Sequence, residues 1–107
     1  MATKKAAPKK STKTKAQRVI VRSVNAGVHH GILVSRIGDT VTLRDSERLW
    51  YWKVAHMTGQ VSSCSELARH GIKRAECKLG ARVDGIEILG ACEIVPVHAD
   101  AVGYEAT

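Results

Sequence analysis

Three consecutive aromatic residues, Trp50, Tyr51 and Trp52, constrain this chain more than any other feature of its sequence. The 107 residues include only two tryptophans, two tyrosines and no phenylalanine. A large aromatic side chain buries about 150–250 Å², and a short domain has few other large groups for its core. Aromatics favour strands, where side chains alternate between faces. The sequence therefore predicts a strand with at least two of the three aromatics in the core, the tryptophans under a helix and Tyr51 against the first strand.

The same stretch has a functional interpretation, because Arg48 and Lys53 flank it. Aromatic side chains can stack on nucleobases while neighbouring cations meet phosphates. Tryptophan, tyrosine and arginine are also the residues that dominate binding energy at protein interfaces. The sequence leaves open whether one of the three aromatics faces outward to contact nucleic acid or another protein.

Positive charge is concentrated at the N-terminus. Residues 1–18 contain no acidic residue and seven basic ones: Lys4, Lys5, Lys9, Lys10, Lys13, Lys15 and Arg18. The chain has 17 basic and 10 acidic residues, so the remaining 10 basic residues balance the 10 acidic ones. This distribution predicts a neutral domain with a basic arm and argues against a basic groove over the domain.

Residues 1–16 consist mainly of lysine, alanine, proline, serine and threonine, a composition that predicts a disordered arm. The arm resembles a histone tail or linker-histone arm. Lysines of this kind neutralise phosphates without reading sequence, and their affinity falls with salt. The predicted nucleic-acid contacts are therefore the six arm lysines together with Arg18, Arg48 and Lys53. The alternatives are a solubilising terminus and a contact with an acidic protein or membrane surface.

Short alternating stretches predict an antiparallel meander in the first half of the chain. The predicted strands are residues 18–24, 28–36, 40–44 and 49–53, with turns at 25–27, 37–39 and 45–47. Gly31, inside the second strand, predicts a bulge or a close backbone approach.

The second half predicts one short helix and a final strand pair. Ser63 and Glu66 form a capping box and Gly71 suits a helix C-terminus, so a helix is expected at residues 64–70. A further helical turn is expected near 74–77, and strands at 86–89 and 92–95, with Pro96 at a sheet edge. The predicted fold class is α+β: a small, strongly bent antiparallel sheet or open SH3-like barrel with one short helix and a disordered basic arm. The predicted organisation is an arm (1–17), one domain (18–98) and a C-terminal tail (99–107).

Motifs for catalysis and metal binding are missing from the sequence, which predicts no enzyme, catalytic residue, cofactor or metal. Cys64, Cys77 and Cys92 lack the paired spacing of zinc sites. His29 and His30 would point to opposite faces of a strand, with His30 buried and hydrogen-bonded and His29 exposed. The free cysteines, the missing secretory signal and the missing apolar run of about 18–20 residues favour an intracellular protein without a membrane span.

Five segments occur in a characteristic order: NAGVHHGIL at 25–33, GxxVxL at 38–43, RLWYW at 48–52, SELAxxG at 65–71 and IxILxAxEIVP at 86–96. Together they resemble a family of small proteins encoded by tailed bacteriophages and prophages, over about residues 18–101. The resemblance implies a phage setting inside a bacterial cell and a compact α+β module. It implies no activity and no site residues. The chain also has a weaker, fold-level resemblance to Sm-like small barrels. It lacks the residues that form the RNA pockets of Sm proteins.

The sequence thus predicts a non-enzymatic phage accessory module that associates with DNA or RNA, without sequence specificity, through its basic arm. The alternative is a virion structural, assembly or interaction module that binds phage or host proteins. The expected location is the cytoplasm of the bacterial host. Incorporation in the phage particle is the alternative location.

Overall fold

The computed structural model describes residues 16–55 and 63–105, so all but two residues of the predicted arm lie outside the described part. Within these residues six strands form one sheet. The elements are β1 (Arg18–Ser23), β2 (Gly27–Ile37), β3 (Thr40–Tyr51), α1 (Cys64–His70), a 3-10 turn (Arg74–Glu76), β4 (Lys78–Leu79), β5 (Ile86–Ile88) and β6 (Ala91–Pro96). The strand order is β4-β3-β2-β1-β6, and β5 pairs with the first half of β3. A small, mostly antiparallel sheet with one short helix is confirmed, and the sheet is not closed.

The helix begins and ends where its capping residues predict. The Ser63 hydroxyl accepts a hydrogen bond from the Glu66 backbone N–H at 3.2 Å. At the other end, the Gly71 N–H donates to the Leu67 carbonyl at 2.8 Å, with Gly71 at φ +98°. A side chain rarely adopts this backbone conformation, which explains glycine there. Seven residues are too few for an independent helix, so α1 depends on packing Leu67 and Ala68 against the sheet.

The turn predicted at residues 45–47 is wrong, because β3 is one continuous strand of 12 residues. Its pairing with β2 leaves Asp45 and Ser46 opposite Gly31 alone, which defines a β-bulge. Asp45 has φ +52°, the only non-glycine among the described residues with positive φ. A Cβ atom on Gly31 would lie 3.0 Å from the Cβ atoms of Leu43 and Ser46. The predicted bulge or close approach at Gly31 is therefore confirmed.

Both faces of the sheet are covered. The helix-side cluster contains Ile20, Leu49, Val54, Cys64, Leu67, Ala68, Ile72 and Tyr104. The opposite cluster contains Val19, Val21, Val41, Leu43 and Ile88. The second cluster joins β1 to β3, although β2 lies between them in the sheet. Side chains from both faces of the sheet therefore make up the core.

The predicted C-terminal tail at residues 99–107 is wrong for its described part, because residues 99–105 return to the core. Tyr104 is 2% exposed and donates its hydroxyl hydrogen to the Leu67 carbonyl of α1. The Ile72 N–H donates to the Val102 carbonyl at 2.9 Å. Tyr104 therefore supplies a large core side chain in a chain with few aromatics. The sequence prediction had placed this residue in the tail.

Candidate functional site

Two of the three consecutive aromatics lie on the surface. Trp50 is 54% exposed and Tyr51 is 61% exposed, whereas Trp52 is half-buried against the helix-side cluster. The prediction that at least two of them fill the core is therefore wrong. In the pairing of β3 with β4, Leu49 faces Leu79 and Tyr51 faces Lys78, so Trp50 is an extra residue in β3. Leu49 takes the inward position there, and no described element covers the other face.

The guanidinium group of Arg48 stacks on Trp50. Its central carbon lies 3.7 Å from the centroid of the Trp50 ring, a cation–π contact. Gly27 packs close to the same guanidinium group, because a Cβ atom there would lie 2.7 Å from Nη2 of Arg48. The Nε atom of Arg48 is buried without a hydrogen-bond partner. Trp50 and Gly27 thus fix the position of Arg48 without neutralising its charge.

Four arginines of the described residues pair with carboxylates, and Arg48 is not one of them. The paired ones are Arg18 with Asp45, Arg22 with Glu93, Arg74 with Glu47, and Arg82 with both Asp45 and Glu47. Arg48 has no such partner in the described part of the chain. A fixed, unneutralised cation on a surface attracts an anion from outside the protein.

Lysines extend this surface along the neighbouring chain segment. Lys78 lies opposite Tyr51 in the β3–β4 pair, and cross-strand partners share a face of the sheet. The Lys73 N–H donates to the Lys53 carbonyl at 2.9 Å, which places these two exposed lysines side by side. We call Arg48, Trp50, Tyr51, Lys53, Lys73 and Lys78 the aromatic–cationic edge. Glu76 is the one acidic residue in segments 48–53 and 73–80, so the charge of this nearly neutral domain is unevenly distributed.

A second group of charged side chains lies inside the domain, and we call it the interior ion network. Glu47 is 4% exposed, and its carboxylate lies 2.9 Å from Nη1 of Arg74 and 3.0 Å from Nη2 of Arg82. Asp45, on the bulge, accepts hydrogen bonds from Arg18 at 2.5 Å and from Arg82 at 2.9 Å. These hydrogen bonds, above all that from Arg18, lower the pKa of Asp45.

Arg18 belongs to this interior network. Its side chain is 10% exposed and is engaged by Asp45 and by His30. Arg18, which the sequence grouped with the arm lysines as a predicted nucleic-acid contact, thus has its guanidinium group engaged inside the domain. The six lysines of the predicted arm lie outside the described residues.

His30 is buried in a fixed protonation state within the network. Nη1 of Arg18 lies 3.0 Å from Nδ1 of His30, and an arginine can only donate, so Nδ1 is the acceptor. Nε2 then carries the hydrogen and donates it to Glu47 at 2.8 Å. Burial lowers the pKa of His30 to about 4, so the ring is neutral at neutral pH. The predicted buried, hydrogen-bonded His30 is confirmed.

The prediction of an exposed His29 is wrong, because His29 is only 5% exposed. Its Nε2 atom lies 2.9 Å from the Ala26 carbonyl, and its Nδ1 atom is buried without a partner. Burial lowers the pKa of His29 as well. The turn before β2 and the neighbouring Arg48, directly opposite in the ladder, cover a ring that alternation alone would leave outside.

The interior ion network holds the C-terminal segment in place. Arg74 donates to the Gly103 carbonyl at 3.1 Å, and Arg82 donates to the Tyr104 carbonyl at 2.8 Å. Although burial opposes ionisation of Glu47, the hydrogen bonds from Arg74 and His30 lower its pKa. Every charge in the network therefore has partners, which is the arrangement of a structural element.

The remaining candidate chemistry gives no further site. Among residues 16–55 and 63–105, no three histidine, cysteine or acidic side chains lie together as metal ligands. Burial raises the pKa of the Cys64 and Cys77 thiols. Within the same described residues, no helix has the length and apolar character needed to cross a membrane.

Comparison with known protein families gives a match for the folded part of the chain. A family model described as "Domain of unknown function (DUF6948)" matches residues 16–104. The chain belongs to this family. The match runs from the residues before β1 to Tyr104, so it includes the C-terminal segment that the interior ion network holds. No curated protein and no solved structure gives a significant match to the chain. The family description assigns no function to the DUF6948 domain.

Proposed function

We propose that this protein associates with nucleic acid through sequence-independent phosphate contacts, as a non-enzymatic accessory protein. The observation that carries the proposal is Arg48, a fixed cation on an exposed edge with no carboxylate among the described residues to neutralise it. Exposed Lys53, Lys73 and Lys78 add positive charge to the same aromatic–cationic edge. Phosphate backbones are the anions that such clusters of lysine and arginine bind in cells.

The basic arm supports the same proposal. Six lysines lie within the first 15 residues, and that segment contains no acidic residue. An extended chain of 15 residues spans at most about 50 Å. The arm is therefore long enough to contact the same nucleic acid as the aromatic–cationic edge, and its lysines would add phosphate contacts.

The motif resemblance described above supports a phage setting. We accordingly place the protein in the cytoplasm of an infected bacterium, where phage and host nucleic acids are both present. DNA and RNA fit the phosphate chemistry equally, because the proposal invokes no contact to a base edge or to a 2′-hydroxyl group.

The experiment is a salt titration of binding to a labelled DNA duplex, measured by fluorescence anisotropy with the full chain. The proposal expects the logarithm of the association constant to fall linearly with the logarithm of salt concentration, by about 0.9 for each phosphate neutralised. A variant with the six arm lysines changed to glutamine should bind more weakly and with a shallower slope. Unchanged low-salt affinity in this variant removes the arm from the proposal, and no binding by the full chain refutes the proposal.

A second candidate function is a protein-interaction or virion-assembly module. Exposed Trp50 and Tyr51 beside Arg48 favour it, because these three residue types are enriched at the centres of protein interfaces. Capture of partners from infected cells with and without nuclease separates the two candidates. Partners that remain after nuclease treatment favour the protein interface, and partners lost with it favour nucleic acid.

A further inference from the structure

We infer that the aromatic–cationic edge binds single-stranded nucleic acid, with unpaired bases stacked on Trp50 and Tyr51. The inference rests on the proposed function and names the kind of nucleic acid that this edge takes. It requires that the two rings be accessible, that they be held in place, and that cations lie around them.

The rings are accessible and fixed. Trp50 and Tyr51 are adjacent in β3 and more than half exposed. Arg48 covers one face of the Trp50 ring at 3.7 Å and thereby holds the plane of the indole. The ladder with β4 holds the backbone of Tyr51 and so limits where its ring can lie. Side chains that are already ordered lose little conformational entropy when a ligand stacks on them.

The chemistry favours unpaired bases. In a duplex the base faces are stacked on one another, and only the groove edges and the phosphates are accessible. In a single strand each base exposes a flat π-face that an aromatic side chain can cover. Exposed rings beside cations are the recurring construction of single-strand binding surfaces, where the rings contact bases and the cations follow the backbone.

The charges of the edge suit a strand lying along it. Lys78 faces the same side as its ladder partner Tyr51, and Lys53 continues the chain beyond Trp52. Arg48 lies on the other side of Trp50 from Tyr51 in sequence. A base stacked on Tyr51 would thus have cations on both sides. These cations would meet the phosphates that flank the base.

The helix α1 is not suited to enter a groove of duplex nucleic acid. A recognition helix must present one free face to the major groove. Here α1 has only seven residues and buries Cys64, Leu67 and Ala68 against the sheet. The exposed aromatic side chains of the described residues therefore lie on β3 and not on α1.

The test compares a labelled 12-nucleotide oligothymidylate with a 12-base-pair duplex, both measured by anisotropy with the full chain at several salt concentrations. The inference expects the single strand to bind more tightly, and the difference to persist at higher salt because stacking is less screened than phosphate contact. Tyr51→Ala and Trp50→Ala should each weaken binding to the single strand by about 5- to 100-fold. Tyr51→Phe, which keeps the ring, should retain most of the affinity.

Leu89→Ala is the matched control, because Leu89 is 63% exposed and lies in the turn between β5 and β6. It should leave binding unchanged, and circular dichroism should show all variants folded. If duplex and single strand bind equally and the alanine variants retain full affinity, the stacking inference is overturned while the proposed function stands. If the full chain binds neither, the proposed function itself fails.

Discussion

Acidification should destabilise this domain through His30. The imidazole is fully buried and held between Arg18 and Glu47. A second proton on the ring would have to go to Nδ1, which faces an Arg18 N–H at 3.0 Å. Two donors would then face each other at a fully buried ring, so protonation of His30 and the native packing oppose one another.

The magnitude follows from the pKa. The pKa of His30 is about 4 in the folded state against 6.5 in an unfolded chain. The unfolded chain therefore binds a proton below pH 6.5 that the folded chain does not bind until about pH 4. The free energy of unfolding falls over that window, by about 3 kcal/mol in total. Typical domains have only about 5–15 kcal/mol of stability, so the effect is large.

The assay is urea unfolding at pH 7, 6, 5 and 4, with NMR titration of the His30 ring in the native state. Glu47 acts in the same direction below its usual pKa, because its lowered pKa contributes stability that is lost as the pH falls. His98→Gln, at an exposed histidine, is the control variant for the urea series. A native His30 that titrates at or above pH 6.5, or stability that is flat between pH 7 and pH 4, would refute this reasoning.

Two substitutions test the interior further. Glu47→Gln removes a buried carboxylate from its arginine partners and should lower the free energy of unfolding by about 3–5 kcal/mol in urea titrations. Glu93→Gln, at an exposed pair with Arg22, is its control and should change little; equal losses would contradict the burial argument. Tyr104→Phe keeps the core ring but loses the hydrogen bond to α1, at a cost of about 1–2 kcal/mol, whereas Tyr104→Ala should cost about 3–5 kcal/mol. Residues 99–105 can be probed by proteolysis in the unaltered protein and in both Tyr104 variants. Equal rates in the three proteins would show that the segment does not dock through this ring.

Local chemistry in the sequence predicted several elements well. Ser63, Glu66 and Gly71 set the ends of α1 because capping depends on residues within one turn of each other. Gly31 predicted the bulge because a Cβ atom there would crowd the Cβ atoms of Leu43 and Ser46. These signals involve neighbours in sequence or direct steric contact, so a pattern can show them.

The failures depend on contacts between distant residues. Residues 45–47 have turn-like composition, but Arg18 and Arg82 bind Asp45 and hold it in a continuous strand. Alternation assigns Trp50 and Leu49 to opposite faces, but it does not say which face is covered. The balanced charge of the body likewise gave no sign that Arg48 would lack a carboxylate partner among the described residues while Arg18 gained one.

The most direct test of the central claim is the intrinsic tryptophan fluorescence of the full chain, titrated with oligothymidylate while anisotropy reports binding. Stacking of bases on Trp50 predicts saturable quenching that follows the binding curve. Trp50→Phe, which retains Trp52 as the remaining fluorophore, should lose that quenching. Emission that stays unchanged at saturating oligonucleotide would contradict the claim, because the strand would then be bound without contacting the exposed ring.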